Sequence, residues 1–381
     1  MSSVRPLSGI VVVEIGHSIA APYAGMILGE LGAEVIKVEN PKSGDAARGW
    51  GPPWSQGAAT TFHAVNRGAK RGITVNLTDP DDAARLRDLI RARADVVIHN
   101  IKPGALERYG ISADSLLAQK PGLIWCNLGA FGAVGPLRER PGYDPMMQAY
   151  SGLMSILGED GRPPVRVNVS IIDMAAGMWS VIGVLAALQE RGRTGRGGIV
   201  DTSLYETALA WMTIPLALFA ETGELPARQG SGVDMIVPYQ AFAAADGYMM
   251  VAAGNDNLFR RLCAALERPV LAEDPRFRSN GDRVVHRAEL VGFLSEIFAE
   301  RPIGHWAKLL EAAGIPNGPI QTLDQVVADP QTAALGILQR DPASAMRLIG
   351  MPLSFDGARP PFAKRAPALG EDNAEILERP R

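Results

Sequence analysis

In the stretch SIIDMAAGMWSVIGVLAAL, residues 170–188, one carboxylate, Asp173, heads an apolar run that carries no other charge. A carboxylate at that place can serve catalysis or cap a helix. The same four residues, Ser170 to Asp173, also spell an S-x-x-D capping box. In that arrangement Ser170 is the N-cap and Asp173 sits at the third helical position, where the helix dipole favours it by about 0.3–1 kcal/mol. Helix physics alone favours capping over catalysis.

Other candidate groups are sparse. His17 follows the β-branched run IVVVEI, a place where the carboxyl ends of parallel strands line a ligand crevice, and it reads equally well as an ordinary loop residue. Lys37, Lys70 and Arg108 all stand near strand ends. If those strands are parallel, their loops converge, and clustered cations suit a phosphate-bearing ligand; taken singly, each reads as a surface charge. The five histidines are scattered, and Cys126 and Cys263 belong to no Cys/His spacing, which predicts two buried thiols and no metal site. No G-x-S-x-G elbow supports a hydrolase, and the first turn, GHSIAAPYAG, is not a G-x-G-x-x-G fingerprint, so no nicotinamide cofactor is expected.

The composition, 47% hydrophobic and 21% charged with a formal net charge of −3, is that of a soluble globular chain with no general attraction to nucleic acid or anionic lipid. The N-terminal segment MSSVRPLSGIVVVEIG has only a short apolar run, broken by Glu14, and resembles neither a signal peptide nor an anchor, which points to the cytoplasm. The run at 174–188 is shorter than the roughly 20 residues of a spanning helix, which predicts a buried helix instead.

These groups need a frame, and 381 residues exceed what one core usually supports. β-Branched runs at 10–15, 34–38, 72–77, 95–99 and 122–126 alternate with helical segments at 21–31, 81–94 and 104–109, which predicts a parallel sheet covered on both faces. A further strand is expected near 195–204 and an apolar helix near 205–219. Beyond a polar linker at 221–234, residues 238–253 read as a hairpin turning at Asp246-Gly247, followed by helices at 257–266, 286–300 and 303–313. The predicted fold is therefore α/β: a Rossmann-like large domain over 1–220, a smaller α+β domain over 235–330, and a segment, 331–381, returning to the first.

The motifs PLSGIVVVEIGHSIAAPYAGMILGELGAEVIKVENPKSGDAARGW, HNIKPGALERYGI, RPGYDPMMQAYSGLMSILG, RGRTGRGGIVDTSL, IVPYQAFAAADGYMMVAAGNDNLFRRLC and GIPNGPI run over nearly the whole chain. Together they resemble family III CoA transferases, which include formyl-CoA, carnitine-CoA and succinyl-CoA-dependent dicarboxylate transferases. The resemblance implies that Asp173 is the nucleophile, attacking an acyl-CoA thioester to give a mixed anhydride and later an aspartyl-CoA thioester. It also implies that helix N-terminal N–H groups beside Asp173 support its charge. The residues matched to CoA binding are His17, Ser18, Ile19, Lys70, Asn100, Ile101 and Arg108, with Tyr143 and Asp144 near the thioester. It further implies an interlocked ring homodimer and no cofactor, CoA being a substrate. Asn40 stands where formyl-CoA transferase has an arginine, Ile19 where it has a glutamine, and AAGNDN at 252–257 replaces its tetraglycine loop. These departures point away from formate and oxalate and toward dicarboxylates such as glutarate, itaconate or citramalate, with succinyl-CoA as donor. The alternatives are an α-methylacyl-CoA racemase, which has a histidine at the place of Tyr143, and a non-catalytic acyl-CoA-binding protein in which Asp173 only caps.

Overall fold

Six of the β-branched runs assemble into one parallel sheet. In the computed structural model, which describes residues 4–341 and 346–377, the strands are β1 (Val11–Ile15), β2 (Glu34–Glu39), β3 (Lys70–Thr74), β4 (Val96–His99), β5 (Ile124–Gly129) and β6 (Gly198–Ser203). Their spatial order is β3-β2-β1-β4-β5-β6. The principal helices of this unit are α1 (Ala20–Glu30), α2 (Pro80–Arg93), α3 (Asp144–Tyr150), α4 (Ile171–Thr194) and α5 (Leu204–Trp211). Period-two alternation divides the strand residues between two cores. Val13, Ile15, Ile36, Val38, Ile73 and Val97 meet Leu86, Leu89 and Ile90 of α2 on one face. Val12, Val35, Val96 and Ile98 meet Ala24 and Leu28 of α1 and Val181 and Val184 of α4 on the other. The order reverses between β1 and β4, and at such a switch point the two loops diverge and leave a crevice at the strands' carboxyl ends.

Glu14 and Lys37 face each other in register across β1 and β2, on the face that α1 covers. Helix α4 crosses α1 closely because residue 177 is glycine: a Cβ there would lie 2.7 Å from the carbonyl oxygen of Ala20. That approach brings the start of α4 beside the turn joining β1 to α1. By length and composition α4 is long and apolar enough to cross a membrane. Only one of its faces, including Ala176, Gly177, Ser180 and Val184, is buried, whereas Met178, Trp179 and Ile182 are about half exposed. The predicted buried helix is thus buried on one side only.

The chain divides into two units. The larger comprises the chain as far as Gly152, Val167–Thr213 and the segment from Pro330; the smaller comprises Leu153–Arg166 and Ile214–Asp329. The smaller unit therefore takes in 153–166, which lie inside the 1–220 span expected for the first domain, and it begins before the polar stretch at 221–234. Its antiparallel sheet, in the order β9-β8-β7, consists of β7 (Tyr239–Ala244), β8 (Gly247–Ala252) and β9 (Asn317–Pro319). Gly247 pairs with Ala244, so the two-residue loop is Ala245-Asp246, one position earlier than Asp246-Gly247. Helices α6 (Asp256–Ala265), α7 (Arg287–Ala299) and α8 (Ile303–Ala312) enclose a core containing Phe242, Met249, Phe259, Phe298 and Trp306. In the larger unit the returning tail covers the outer strand of the sheet: Asp372 and Asn373 accept hydrogen bonds, each 2.8 Å, from the backbone N–H groups of Gly72 and Thr74 on β3. Residues 342–345 and 378–381 of the 331–381 segment lie outside the described residues.

Candidate active site

The turn after β1 is held from below by buried charge. Lys37 Nζ donates to Glu14 Oε1 (2.9 Å), Asp45 Oδ2 (2.9 Å) and the carbonyl oxygen of Gly16 (3.0 Å). Burial opposes its charge, but the carboxylates of Glu14, Asp45 and Glu39 outweigh burial and hold Lys37 above its ordinary pKa. Asp45 Oδ1 accepts from the N–H of Ser18, which adopts a left-handed conformation at φ 66°. Across the switch point, Asn100 exchanges two hydrogen bonds with the backbone of His17, at 3.0 and 2.9 Å. The His17 ring reaches open space, yet the protein around it lowers its pKa, and its Nδ1 lies 3.0 Å from Ser18 Oγ.

The start of α4 is capped from outside. Ser170 occupies the N-cap position, but its side chain makes no capping bond. Instead Asp144 Oδ2 accepts from the N–H groups of Ile172 (2.7 Å) and Asp173 (3.2 Å). The predicted capping box is therefore replaced by a cap from α3. Two consequences follow for Asp173. The helix N–H groups expected to support its charge are taken by Asp144, and among the described residues its own carboxylate has no hydrogen-bond partner. It is 9% exposed, and burial, with the Asp144 carboxylate second, pushes its pKa up to about 7. Such a carboxylate is more nucleophilic than an ordinary one while remaining substantially ionised near neutrality.

A cavity of about 320 Å³ opens in front of Asp173, and His17, Ser18, Asn100, Ile101 and Tyr143 also line it. A second cavity of about 290 Å³ shares His17 and Ile101 with the first and is walled by Asn40, Asn76 and Tyr109. The two spaces lie at the carboxyl ends of β1, β2 and β4, where an extended ligand can occupy both.

Other matched residues stand elsewhere. Ile19 is buried at the N-cap of α1 and Asp144 is buried behind Asp173, and neither lines the cavities. Arg108 is exposed in the 3₁₀ turn Glu107–Tyr109, whose Tyr109 reaches the second cavity while Arg108 lines neither. Lys70 is wholly buried: its Nζ pairs with Glu14 Oε2 at 2.7 Å and donates to Pro22 O, Val65 O and Asn66 Oδ1. Lys70 begins β3 rather than ending it, so it points into the interior at the strand's amino end. The expected convergence of Lys37, Lys70 and Arg108 on one crevice does not occur, because the two lysines neutralise carboxylates beneath it.

The cations at the Asp173 cavity are Lys102, Arg138 and Arg140, none of them among the residues expected from the sequence. Their signal was present in NIKPG and in RERPGYD, where two arginines immediately precede Tyr143 and Asp144. Arg138 contacts Glu139 at 3.3 Å, whereas Arg140 lies 5.7 and 5.9 Å from the ring centres of Phe131 and Tyr150. Both cysteines are buried and unpaired, and no group of metal-ligating side chains occurs among the described residues.

Comparison with known proteins identifies the family. The family model for CoA-transferase family III matches residues 7–373. Succinyl-CoA:glutarate CoA-transferase of Mus musculus is 37% identical over 99% of this chain and 86% of its own length. Succinate–glutarate CoA-transferase of Agrobacterium fabrum is 36% identical over 98% and 95%. Acetyl-CoA:oxalate CoA-transferase of Acetobacter aceti is 35% identical over 97% and 95%. Among solved structures, a CaiB/BaiF family protein from Brucella suis superposes with a TM-score of 0.86 at 38% identity, covering 98% of each chain. The chain belongs to CoA-transferase family III, and it is a CoA transferase.

Proposed function

We propose that the enzyme moves CoA from succinyl-CoA to a dicarboxylic acid, with Asp173 as the covalent nucleophile. The observation that carries this reading is the buried Asp173 carboxylate, unpartnered among the described residues and facing a cavity. Its oxygen attacks the thioester carbonyl, the C–S bond breaks, and an aspartyl-succinyl anhydride forms with release of CoA thiolate. The thiolate then attacks the aspartyl carbonyl, succinate leaves, and an aspartyl-CoA thioester remains. The acceptor carboxylate displaces CoA from that thioester, and the thiolate attacks the acceptor's acyl carbon to give the new acyl-CoA and free Asp173. Each step exchanges one activated acyl bond for another, so no cofactor or external energy source is needed.

The Asp173 cavity would hold the thioester end of CoA and the adjoining cavity its nucleotide end. Arg140 is suited to the distal carboxylate of a dicarboxylate, since Phe131 and Tyr150 hold its guanidinium and none of the described residues forms an ion pair with it. The oxalate-using relative argues against excluding short diacids on the strength of Ile19 and the 252–257 loop alone. A racemase would need a second acid-base group, and at the position of its histidine this chain has Tyr143. We further propose a homodimer of interlocked rings. The half-exposed Met178, Trp179 and Ile182 of α4 and the outer edge of β6, unpaired among the described residues and with Ile199 exposed, are surfaces that a second copy would cover. Light scattering that reports a monomer at micromolar concentration would remove that part of the proposal.

The covalent step is tested by mass spectrometry after incubation with succinyl-CoA. A hydroxylamine-sensitive acyl or CoA adduct on the peptide containing Asp173, absent from Asp173→Asn, is the expected result. Turnover by Asp173→Asn at the wild-type rate defeats the mechanism. An assay of CoA transfer from succinyl-CoA to a panel of mono- and dicarboxylates identifies the acceptor class.

A further inference from the structure

Gln148 is wholly buried on α3, one turn beyond Asp144, and the reaction above gives it no part. Its amide is engaged at both ends. Nε2 donates to Asp144 Oδ1 at 2.6 Å and to Val167 O at 3.1 Å, and Oε1 accepts from Val167 N at 2.9 Å. The other oxygen of Asp144 caps Ile172 and Asp173. One side chain therefore links α3, the residue at which the chain re-enters the larger unit, and, through Asp144, the first turn of α4. A glutamine suits the place because it offers a donor toward a carboxylate and a peptide-like donor and acceptor pair toward backbone; neither lysine nor methionine supplies both.

We propose that Gln148 is a positioning residue of the transferase: by holding Asp144 as the external cap of α4, it reserves the helix N–H donors for Asp144 and keeps the Asp173 carboxylate unpartnered and aimed at the cavity. Without this restraint Asp144 can rotate about its side-chain torsions and release the Ile172 and Asp173 N–H groups. The Asp173 carboxylate can then accept from its own helix terminus, as N-terminal carboxylates commonly do. A nucleophile so engaged is turned from the thioester and less basic, while the surfaces that bind CoA are untouched. The inference rests on Asp173 being the nucleophile.

Two variants test it. Gln148→Met preserves volume and removes all three hydrogen bonds. It is expected to lower kcat by about 10- to 100-fold while KM for acyl-CoA and the Kd for CoA stay within about threefold. Gln148→Glu keeps an acceptor for Val167 N–H and regains a donor to Asp144 only when the two carboxyl groups share a proton, since neighbouring carboxylates do not both ionise readily. Its activity relative to wild type is therefore expected to climb as pH falls from about 8 to about 6. The other titratable groups facing Asp173 across the cavity, His17, Lys102, Arg138, Glu139, Arg140 and Tyr143, are common to both proteins and largely cancel in that ratio.

A folded Gln148→Met enzyme with wild-type kcat overturns the proposal, as does a parallel loss of kcat and CoA affinity, or a Gln148→Glu ratio that is flat with pH. Should Gln148→Met fail to fold, the Gln148→Glu profile decides. Asp173→Asn assayed alongside separates the two ideas. Retained turnover there defeats the nucleophile reading itself, whereas an inactive Asp173→Asn beside a fully active Gln148→Met defeats only the positioning role.

Discussion

Replacing Asp173 by asparagine is expected to stabilise the protein at alkaline pH while abolishing turnover. The carboxyl is buried beside Asp144, and its pKa is about 7 in the folded protein against an ordinary 3.8. Between those values the folded state binds the proton more tightly than the unfolded chain, so the free energy of unfolding of the wild type falls as pH rises, and the full cost of the buried charge is reached above about pH 7. At about 1.4 kcal/mol for each tenfold change in proton affinity, the ceiling is about 4 kcal/mol. The neutral amide avoids this charge but carries a desolvation cost of its own, which sets the expected gain at about 2–4 kcal/mol at pH 8. Urea unfolding of wild type and Asp173→Asn at pH 8 and pH 5, followed by tryptophan fluorescence, reads the difference as a shift in midpoint. The advantage of Asp173→Asn should shrink steadily toward pH 4, where both unfolded and folded wild-type carboxyls become protonated. A variant no more stable than wild type at pH 8, or equally advantaged at both pH values, would refute the reasoning: Asp173 would then not be a buried, unsupported charge.

With Asp173 as the proposed nucleophile, kcat/KM is expected to rise with pH through a bend near 7 and level off above it, as a pH-rate profile with saturating acceptor would record. Lys37→Met should destabilise by about 3–5 kcal/mol, because it leaves the buried Asp45 carboxylate without a cation and Glu14 with Lys70 alone; denaturant unfolding at neutral pH measures this. Gly177→Ala should cost about 1–3 kcal/mol and lower kcat/KM, since the new Cβ meets the Ala20 carbonyl at 2.7 Å and pushes α4 from the turn that carries His17 and Ser18; melting curves and initial rates report the two effects.

The sheet was legible because its strands are β-branched runs of the right length, and period-two alternation does not depend on what packs above. Legibility failed where one-dimensional spacing had to stand for direction. Lys37 and Lys70 stand near strand ends in the sequence, where converging loops would present them to a crevice, but a lysine inside a strand points to a sheet face, and here both face carboxylates under α1. The S-x-x-D signature located the start of α4 but not its cap, since a cap from a residue 28 positions earlier in the chain leaves no local mark. The boundary of the smaller unit was missed for a similar reason: residues 153–166 join it through contacts distant in sequence.

What the sequence determined by itself was the α/β alternation, the helix start that carries Asp173, and the motif set that places the chain among CoA transferases. Only the tertiary structure decided what surrounds Asp173. In isolation the first turn of a helix stabilises a carboxylate and lowers its basicity. Asp144, brought in by α3, takes those N–H donors and adds a second negative charge, so the same position carries a more basic carboxylate at a cavity wall instead of a cap. Local spacing sets which residue begins a helix, but the dielectric around it and the partner that captures its donors are properties of elements that meet only on folding.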